Sequence, residues 1–113
     1  MMITVVRYIA SDGSDDFGTW LQKQTPETRA RIQTRIDRIE LGNFGDHKSV
    51  GAGVFELRVH HGPGMRVYYG RDGDLLVVLL AGGTKKRQAR DIERATASWK
   101  AYRQEKRNAD ENT

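Results

Sequence analysis

Alternation of apolar and polar residues predicts β-structure in the middle of the chain. Within residues 53–61, the side chains at 55, 57 and 59 are apolar and those at 56, 58 and 60 are ionisable. Residues 65–69 repeat the pattern, with Arg66 and Tyr68 on the polar side. A period of two is typical of a strand with one face on a core, so both segments are predicted strands.

The segment His61-Gly-Pro-Gly64 between these strands has the composition of a turn. A tight hairpin there would place Arg58 near Tyr68 and His60 near Arg66. Two arginines, a histidine and a tyrosine would then share one exposed sheet face. Such a face suits a polyanion.

The third strand is apolar without interruption from Leu75 to Leu80, which predicts a central strand covered on both faces. Gly82-Gly83 ends it, and Thr84 is a possible N-cap for the helix that follows. Lys85 and its neighbour Lys86 lie at this strand-to-helix junction. Helix N-termini attract anions, so the two lysines are expected to favour a phosphate there.

The first half of the chain predicts one strand and two helices. Residues 3–9 form a β-rich opening, expected at a sheet edge. Ser14 is a possible N-cap for a short helix whose apolar residues are at 17, 20 and 21. Thr25-Pro26 predicts the start of a second helix, with isoleucines at 32, 36 and 39 as its buried stripe and Gly42 as its stop.

Two further segments complete the prediction. Residues 43–53 are rich in glycine and predict a loop that carries Lys48 close to a ligand. The last helix begins near Lys85 and has an apolar stripe at 92, 95, 99 and 102, where Trp99 is expected to be a core or partner-binding residue. Residues 106–113 are polar and predict a flexible tail.

The predicted order is strand, helix, helix, three antiparallel strands, helix. It indicates an α+β fold, a single domain over residues 1–113, with helices on one side of the sheet and the other face open. A chain of 113 residues is long enough for one modest core.

Composition narrows the class of partner. The net charge is +4, yet residues 85–107 alone contain nine Lys/Arg and three Asp/Glu, which is typical of a nucleic-acid or acidic protein partner. The chain has no cysteine, and its scattered acids do not predict a metal site, so no metal or cofactor is expected. No apolar run is long enough for a bilayer, and we expect a cytoplasmic protein without membrane contact.

Three segments together resemble the RelE/ParE toxin superfamily, and above all its HigB-like branch of addiction module killer proteins. They are Glu56-Leu-Arg58, Gly64-Met-Arg-Val-Tyr-Tyr69, and Leu80-Ala-Gly-Gly-Thr-Lys85 followed by Gln88 and Asp91-Ile92. The resemblance covers most of the chain. It implies the family's compact fold and the toxin of a type II toxin–antitoxin system, silenced by a small helix-turn-helix antitoxin.

The resemblance also implies an endoribonuclease that cuts mRNA on the ribosome by attack of a 2′-hydroxyl on its neighbouring phosphate. Arg66 and Lys85 carry over most directly, followed by Arg58. Forked guanidinium donors suit phosphoryl oxygens, and imidazole titrates near neutral pH, which makes His60 a possible proton carrier. Tyr68 completes the expected catalytic set, and Lys48, Lys86, Arg87 and Arg90 are expected to contact RNA.

Several alternatives stay open at this stage. The general base could be Glu56, His60, Tyr68 or Asp91. Arg58 could instead pair with Glu56 on its own strand as an ordinary ion pair. A ParE-like inhibitor of DNA gyrase, or an RNA-binding module without catalysis, would have the same fold.

Overall fold

The computed structural model describes residues 2–112. Its elements, in chain order, are β1 (Thr4–Arg7), α1 (Asp16–Gln22), α2 (Pro26–Glu40), β2 (His47–Gly51), β3 (Val54–Val59), β4 (Met65–Asp72), β5 (Leu76–Thr84), a single 3₁₀ turn (Lys85–Arg87) and α3 (Gln88–Glu111). This is the predicted α+β architecture with one additional strand.

The five strands form one mixed sheet in the order β1-β5-β4-β3-β2. β1 pairs with β5 in parallel, and the other three pairs are antiparallel. The expectation of an edge position for β1 is confirmed. β5 is an interior strand, and its residues 77–83 are buried, which agrees with the uninterrupted apolar run in the sequence.

Helices cover both faces of the sheet, and the predicted open face is wrong. The isoleucine stripe of α2 packs with Leu57, Val67 and Tyr69 on one face. On the other face α3 packs Ala95 and Trp99 against buried residues of β3, β4 and β5. The apolar stripe of α3 needs an apolar surface for burial, and only the second sheet face offers one.

The predicted helix starts are mostly confirmed. The Thr25 hydroxyl accepts a hydrogen bond from the Thr28 amide at 3.2 Å, and Pro26 is the first residue of α2. The cap of α1 lies one residue beyond the expected Ser14, because the Asp15 carboxylate accepts from the Gly18 amide at 2.9 Å. An ionised carboxylate at the positive end of a helix is stabilising.

Two segments differ from the prediction. Residues 47–51, expected in a loop, form the edge strand β2; its exposed polar side chains conceal the strand pattern. α3 continues through Glu111 where a flexible tail is predicted, and Lys106 Nζ lies 2.5 Å from Asp72 Oδ2. Thr113, the last residue of that tail, lies outside the described residues. None of the helices within residues 2–112 combines the length and apolarity that crossing a membrane requires.

Candidate functional site

A fully buried carboxylate lies at the centre of the polar sheet face. Glu56, on β3, has no exposed surface. Its Oε1 atom lies 2.9 Å from Arg58 Nε and 3.5 Å from Arg66 Nε, and its Oε2 atom accepts a hydrogen bond from the Gln88 side chain of α3. The alternative pairing of Arg58 with Glu56 is therefore present. The carboxylate holds both arginines and also fixes the start of α3 on the sheet.

Arg66 and Tyr68 are buried beneath α3, which corrects their expected exposure. Arg66 is 6% exposed and donates from Nη1 to the Met65 carbonyl at 3.1 Å. Tyr68 has no exposed surface, and its hydroxyl has no hydrogen-bond partner among residues 2–112. Burial, and then the nearby charges of Glu56 and Asp91, raise the pKa of Tyr68 well above its ordinary value. Tyr68 is thus a neutral phenol at physiological pH.

The hairpin register also differs from the prediction. Arg58 lies opposite Arg66, and Glu56 lies opposite Tyr68. The turn is centred one residue earlier than expected, so each pairing shifts by two residues. A shift of two keeps every side chain on its predicted face and changes only its cross-strand neighbour.

His60 lies at the exposed end of the same polar group. Its Nε2 atom is 2.5 Å from Asp46 Oδ2, and Asp46 Oδ1 is 4.0 Å from Arg58 Nη1. The hydrogen bond with His60, aided by the charge of Arg58, holds the pKa of Asp46 below its ordinary value. His60, Asp46, Arg58 and Glu56 therefore form one continuous polar network from solvent to the core.

Two members of this arrangement were missed in the sequence. Asp46 lies just before β2 in a segment without a recognisable motif. Arg35 of α2 is half-buried; it donates to the Arg58 carbonyl and, from Nη2, to the Phe44 carbonyl at 3.1 Å. These bonds fix the loop that carries Asp46. The sequence did not single out Arg35, because α2 contains several arginines at similar positions between its buried isoleucines.

A rim of exposed cations surrounds the network. Lys85, Lys86 and Arg87 form the 3₁₀ turn, and Arg90 follows on the first turn of α3. The Lys85 amide donates to the Gly64 carbonyl at 3.0 Å. A Cβ placed on Gly64 would lie 3.5 Å from both Arg66 Nη1 and Lys85 Cβ, so these two residues meet beside the β3–β4 turn.

Lys48 joins this rim from the edge of the sheet. It lies opposite Glu56 in the register of β2 and β3, so both project from the same face.

The expected cap at Thr84 is not confirmed, since its side chain makes no capping hydrogen bond.

Asp91 lies under the first turns of α3 and is 4% exposed. In the described part of the chain its Oδ2 atom has no hydrogen-bond partner, and it lies against Gly83, where an added Cβ would be 1.8 Å away. Burial raises the pKa of Asp91, opposed by the charges of Arg94, Arg87 and Arg90. Asp91 borders a cavity of about 300 Å³ that Arg87 of the rim also lines.

The geometry separates the four possible proton acceptors. Glu56, Tyr68 and Asp91 are buried, whereas His60 is exposed with one ring nitrogen held by Asp46. Within residues 2–112, no three His, Asp or Glu side chains are grouped as a metal site would require. The arrangement can hold an anion against Arg58 and the lysines of the rim, with an imidazole alongside.

The fold and the site together define the class of protein. It is a small mixed α+β domain with a cationic rim around a buried carboxylate. Residues 19–113 match the family model described as Phage derived protein Gp49-like (DUF891), and the chain belongs to this family. The family is toxin-like and associated with toxin–antitoxin systems. An uncharacterized protein of Haemophilus influenzae is 48% identical over 80 residues, which cover 70% of this chain and 81% of that protein.

Proposed function

We propose that this protein is the toxin of a type II toxin–antitoxin system, that it acts in the cytoplasm, and that it cleaves mRNA on the ribosome. The family association supports the first part. The observation that carries the enzymatic part is the placement of Arg58, whose Nε is fixed by buried Glu56 while the side chain remains 31% exposed and shares Asp46 with His60.

In the proposed reaction, the 2′-oxygen of one nucleotide bonds to the adjacent phosphorus as the bond to the 5′-oxygen breaks. The products are a 2′,3′-cyclic phosphate and a 5′-hydroxyl. Arg58 and Lys85 donate to the phosphoryl oxygens, where negative charge accumulates in the transition state. Lys85 also gives a proton to the departing 5′-oxygen.

His60 takes the proton of the 2′-hydroxyl. The hydrogen bond between Nε2 and Asp46 favours the tautomer protonated on Nε2, which leaves Nδ1 as the basic nitrogen. The lowered pKa of Asp46 keeps this partner ionised at neutral pH. Asp46 is thus a positioning residue for His60.

Arg66 and Tyr68 have supporting roles in this proposal. Both are too buried to reach RNA without movement of α3, so Arg66 acts by holding Glu56, which in turn orients Arg58. Replacing Arg66 with alanine would therefore impair folding as well as activity. Toxicity of an Arg66 variant is a poor test of catalysis, and exposed residues are better targets.

The ribosome is proposed as the place of cleavage because the exposed groups alone would lower only part of the activation barrier for RNA cleavage. Arg58 and Lys85 stabilise charge but accept no proton at neutral pH, and a single exposed histidine gives limited acid–base catalysis. Holding the RNA in line for attack can contribute several kcal/mol. A ribosome can hold mRNA in that geometry, and its RNA attracts the cationic rim.

The decisive experiment compares cleavage of one transcript, free and translating, at matched protein concentration and salt. We expect rapid cleavage only during translation. Arg58→Ala should lower the rate by about 10²–10³-fold and His60→Gln by about 10²-fold or more, while Arg31→Ala on α2 should leave it unchanged. Equal rates on free and translating RNA would contradict the ribosomal part. Absence of cleavage with inhibition of DNA gyrase would replace the ribonuclease proposal.

The proposed partner in the resting cell is a cognate antitoxin, a small helix-turn-helix protein. The toxin–antitoxin association of the family supports it. Co-expression of the neighbouring open reading frame with a tagged toxin should yield a stable complex and restore growth. Failure of any neighbouring product to bind would contradict this part.

A further inference from the structure

A second cationic cavity lies away from the Glu56 network, between the β2–β3 turn and the middle of α3. Its volume is about 350 Å³, and it is lined by Ala52, Thr96, Trp99, Lys100, Arg103 and Arg107. Every charged residue in this lining is a cation. A larger cleft of about 710 Å³ shares Trp99, Arg103 and Arg107 with this cavity and also contains three aspartates.

The cations of this cavity are exposed. Within residues 2–112 no salt bridge of Lys100 or Arg103 is seen, and Arg107 donates to the neutral Gln104 side chain at 2.8 Å. By contrast, Lys106 on the same helix is paired with Asp72. Exposed cations without partners keep their full attraction for an incoming anion.

Trp99 adds a directed hydrogen-bond donor. Its ring is 5% exposed and stacks on Tyr102 with 5.1 Å between centroids. The indole nitrogen lies beside Gly53, where an added Cβ would be 2.8 Å away. No hydrogen bond of this N–H is seen within residues 2–112, and the nitrogen is not one of the buried atoms that lack a partner. It is therefore open to water or to an acceptor that a ligand brings into the cavity.

The turn that forms the cavity wall has an unfavourable backbone. Gly51, Ala52 and Gly53 have φ values of 96°, 56° and 81°, and Ala52 is the only non-glycine with positive φ among residues 2–112. The left-handed conformation is unfavourable for alanine because its Cβ crowds the backbone. Strain of this kind is concentrated at binding sites, and here it brings the backbone close to the Trp99 indole.

We propose that this cavity binds a phosphodiester group of RNA, as a docking contact separate from the site of cleavage. The inference rests on the proposed function and extends it. Ala89, Thr96 and Arg103 are spaced by seven residues and share one side of α3. Ala89 lines a cavity with Lys86, Arg87 and Arg90 at the helix start, about 20 Å from Arg103 along the axis.

Two cation groups at that separation on one rigid helix suit a long polyanion better than a small ligand. A single RNA strand or a ribosomal RNA helix can touch both groups, whereas an inorganic anion can occupy only one. The cleavage network lies near the first group. The second group would therefore add affinity and orientation without touching the reacting atoms, and Arg103, Arg107 and Trp99 are docking residues in this scheme.

The test uses the full chain and a fluorescent 2′-O-methyl RNA, which cannot undergo 2′-hydroxyl attack, so binding is measured apart from cleavage. Arg103→Ala/Arg107→Ala should weaken binding roughly tenfold at about 0.1 M salt and reduce the slope of log K against log salt by about 1.4. The matched control, Arg31→Ala/Arg38→Ala, removes the same charge from exposed α2 residues on the other sheet face. We expect it to bind within twofold of the parent.

A second measurement addresses the indole directly. In a ¹⁵N-labelled protein, the Trp99 indole resonance, assigned with Trp20→Phe, should shift on titration with the same RNA. It should not shift in the Arg103/Arg107 variant. Trp99→Phe keeps an aromatic ring and removes the N–H, and should weaken binding at least threefold if its melting temperature shows that it remains folded.

The outcomes separate this inference from the proposed function. Equal weakening in the double variant and its control would overturn the docking site, because net charge alone would explain the effect. Unchanged RNA binding with lost affinity for the antitoxin would overturn it in favour of an acidic protein. Loss of RNA binding as expected, from a protein that cuts no transcript, would support the docking site and refute the ribonuclease.

Discussion

Replacement of Glu56 with glutamine would remove the charge at the centre of the polar network and keep its shape. Arg66, whose side chain is 8% exposed, would then be a buried cation without an ionised partner. Breaking a buried ion pair in this way typically costs about 3–5 kcal/mol. Arg58 is 31% exposed and can be hydrated, so we expect the lower figure, about 3 kcal/mol.

The assay is equilibrium unfolding in urea combined with thermal melting. For a chain of this size, about 3 kcal/mol corresponds to a fall in Tm of roughly 12 °C. The matched control is Glu27→Gln, where the exposed carboxylate lies 3.7 Å from Arg31 on α2. Such an exposed pair contributes less than about 1 kcal/mol, so the control should melt within a few degrees of the parent.

A third variant tests the physical cause. If the uncompensated guanidinium is responsible, Glu56→Gln/Arg66→Met should recover much of the stability lost in Glu56→Gln, because no buried charge is left unpaired. A single Glu56→Gln variant as stable as the Glu27 control would refute the reasoning. So would a double variant less stable than the sum of its single changes.

Three further outcomes follow from the structure. Ala52→Gly should raise the free energy of unfolding by about 1 kcal/mol, because glycine adopts positive φ without strain; lower stability in urea would contradict this. Gly70→Ala should cost about 3 kcal/mol, since the new Cβ would lie 2.3 Å from the Trp99 ring, and a cost below 1 kcal/mol would show that the ring moves easily. Burial raises the pKa of Tyr69 to about 12, so the folded state should lose stability as pH rises above 10, where the unfolded tyrosine ionises first. Absorbance at 295 nm should show the Tyr69 phenolate only when the protein unfolds in alkali. Ionisation of Tyr69 near pH 10 in the folded protein would refute this prediction.

The strands and their faces could be predicted from the sequence because period-two alternation is local. Glu56, Arg58, Arg66 and Tyr68 do share one sheet face, as predicted. Their predicted cross-strand partners were wrong by two residues, because the turn composition from His61 to Gly64 does not fix the centre of the hairpin. The error leaves the face unchanged and alters only which side chains meet.

The burial of that face could not be predicted from charge alone. Ionic residues on a strand usually indicate a solvent-exposed face, but here Glu56 pairs with both arginines and only Arg58 stays partly exposed. Two signals pointed to this burial. The apolar run in β5 requires protection on both faces, and the stripe that includes Trp99 requires a surface on which to pack.

The ends of the polar network were hardest to foresee. Asp46 meets His60 only because β2 pairs with β3, and β2 has no apolar alternation to identify it. Contacts across such distances depend on tertiary structure, which local patterns do not encode.

The parallel pairing of β1 with β5 has a consequence for the timing of synthesis. Thr4 pairs with Leu76, 72 residues later in the chain. At about 5–20 residues per second, the first strand waits roughly 4–14 s for its partner to be made. Within residues 2–112, β1 lies at the edge of the sheet and pairs with β5 alone. A nascent chain of this protein therefore cannot complete its sheet until most of it has been translated.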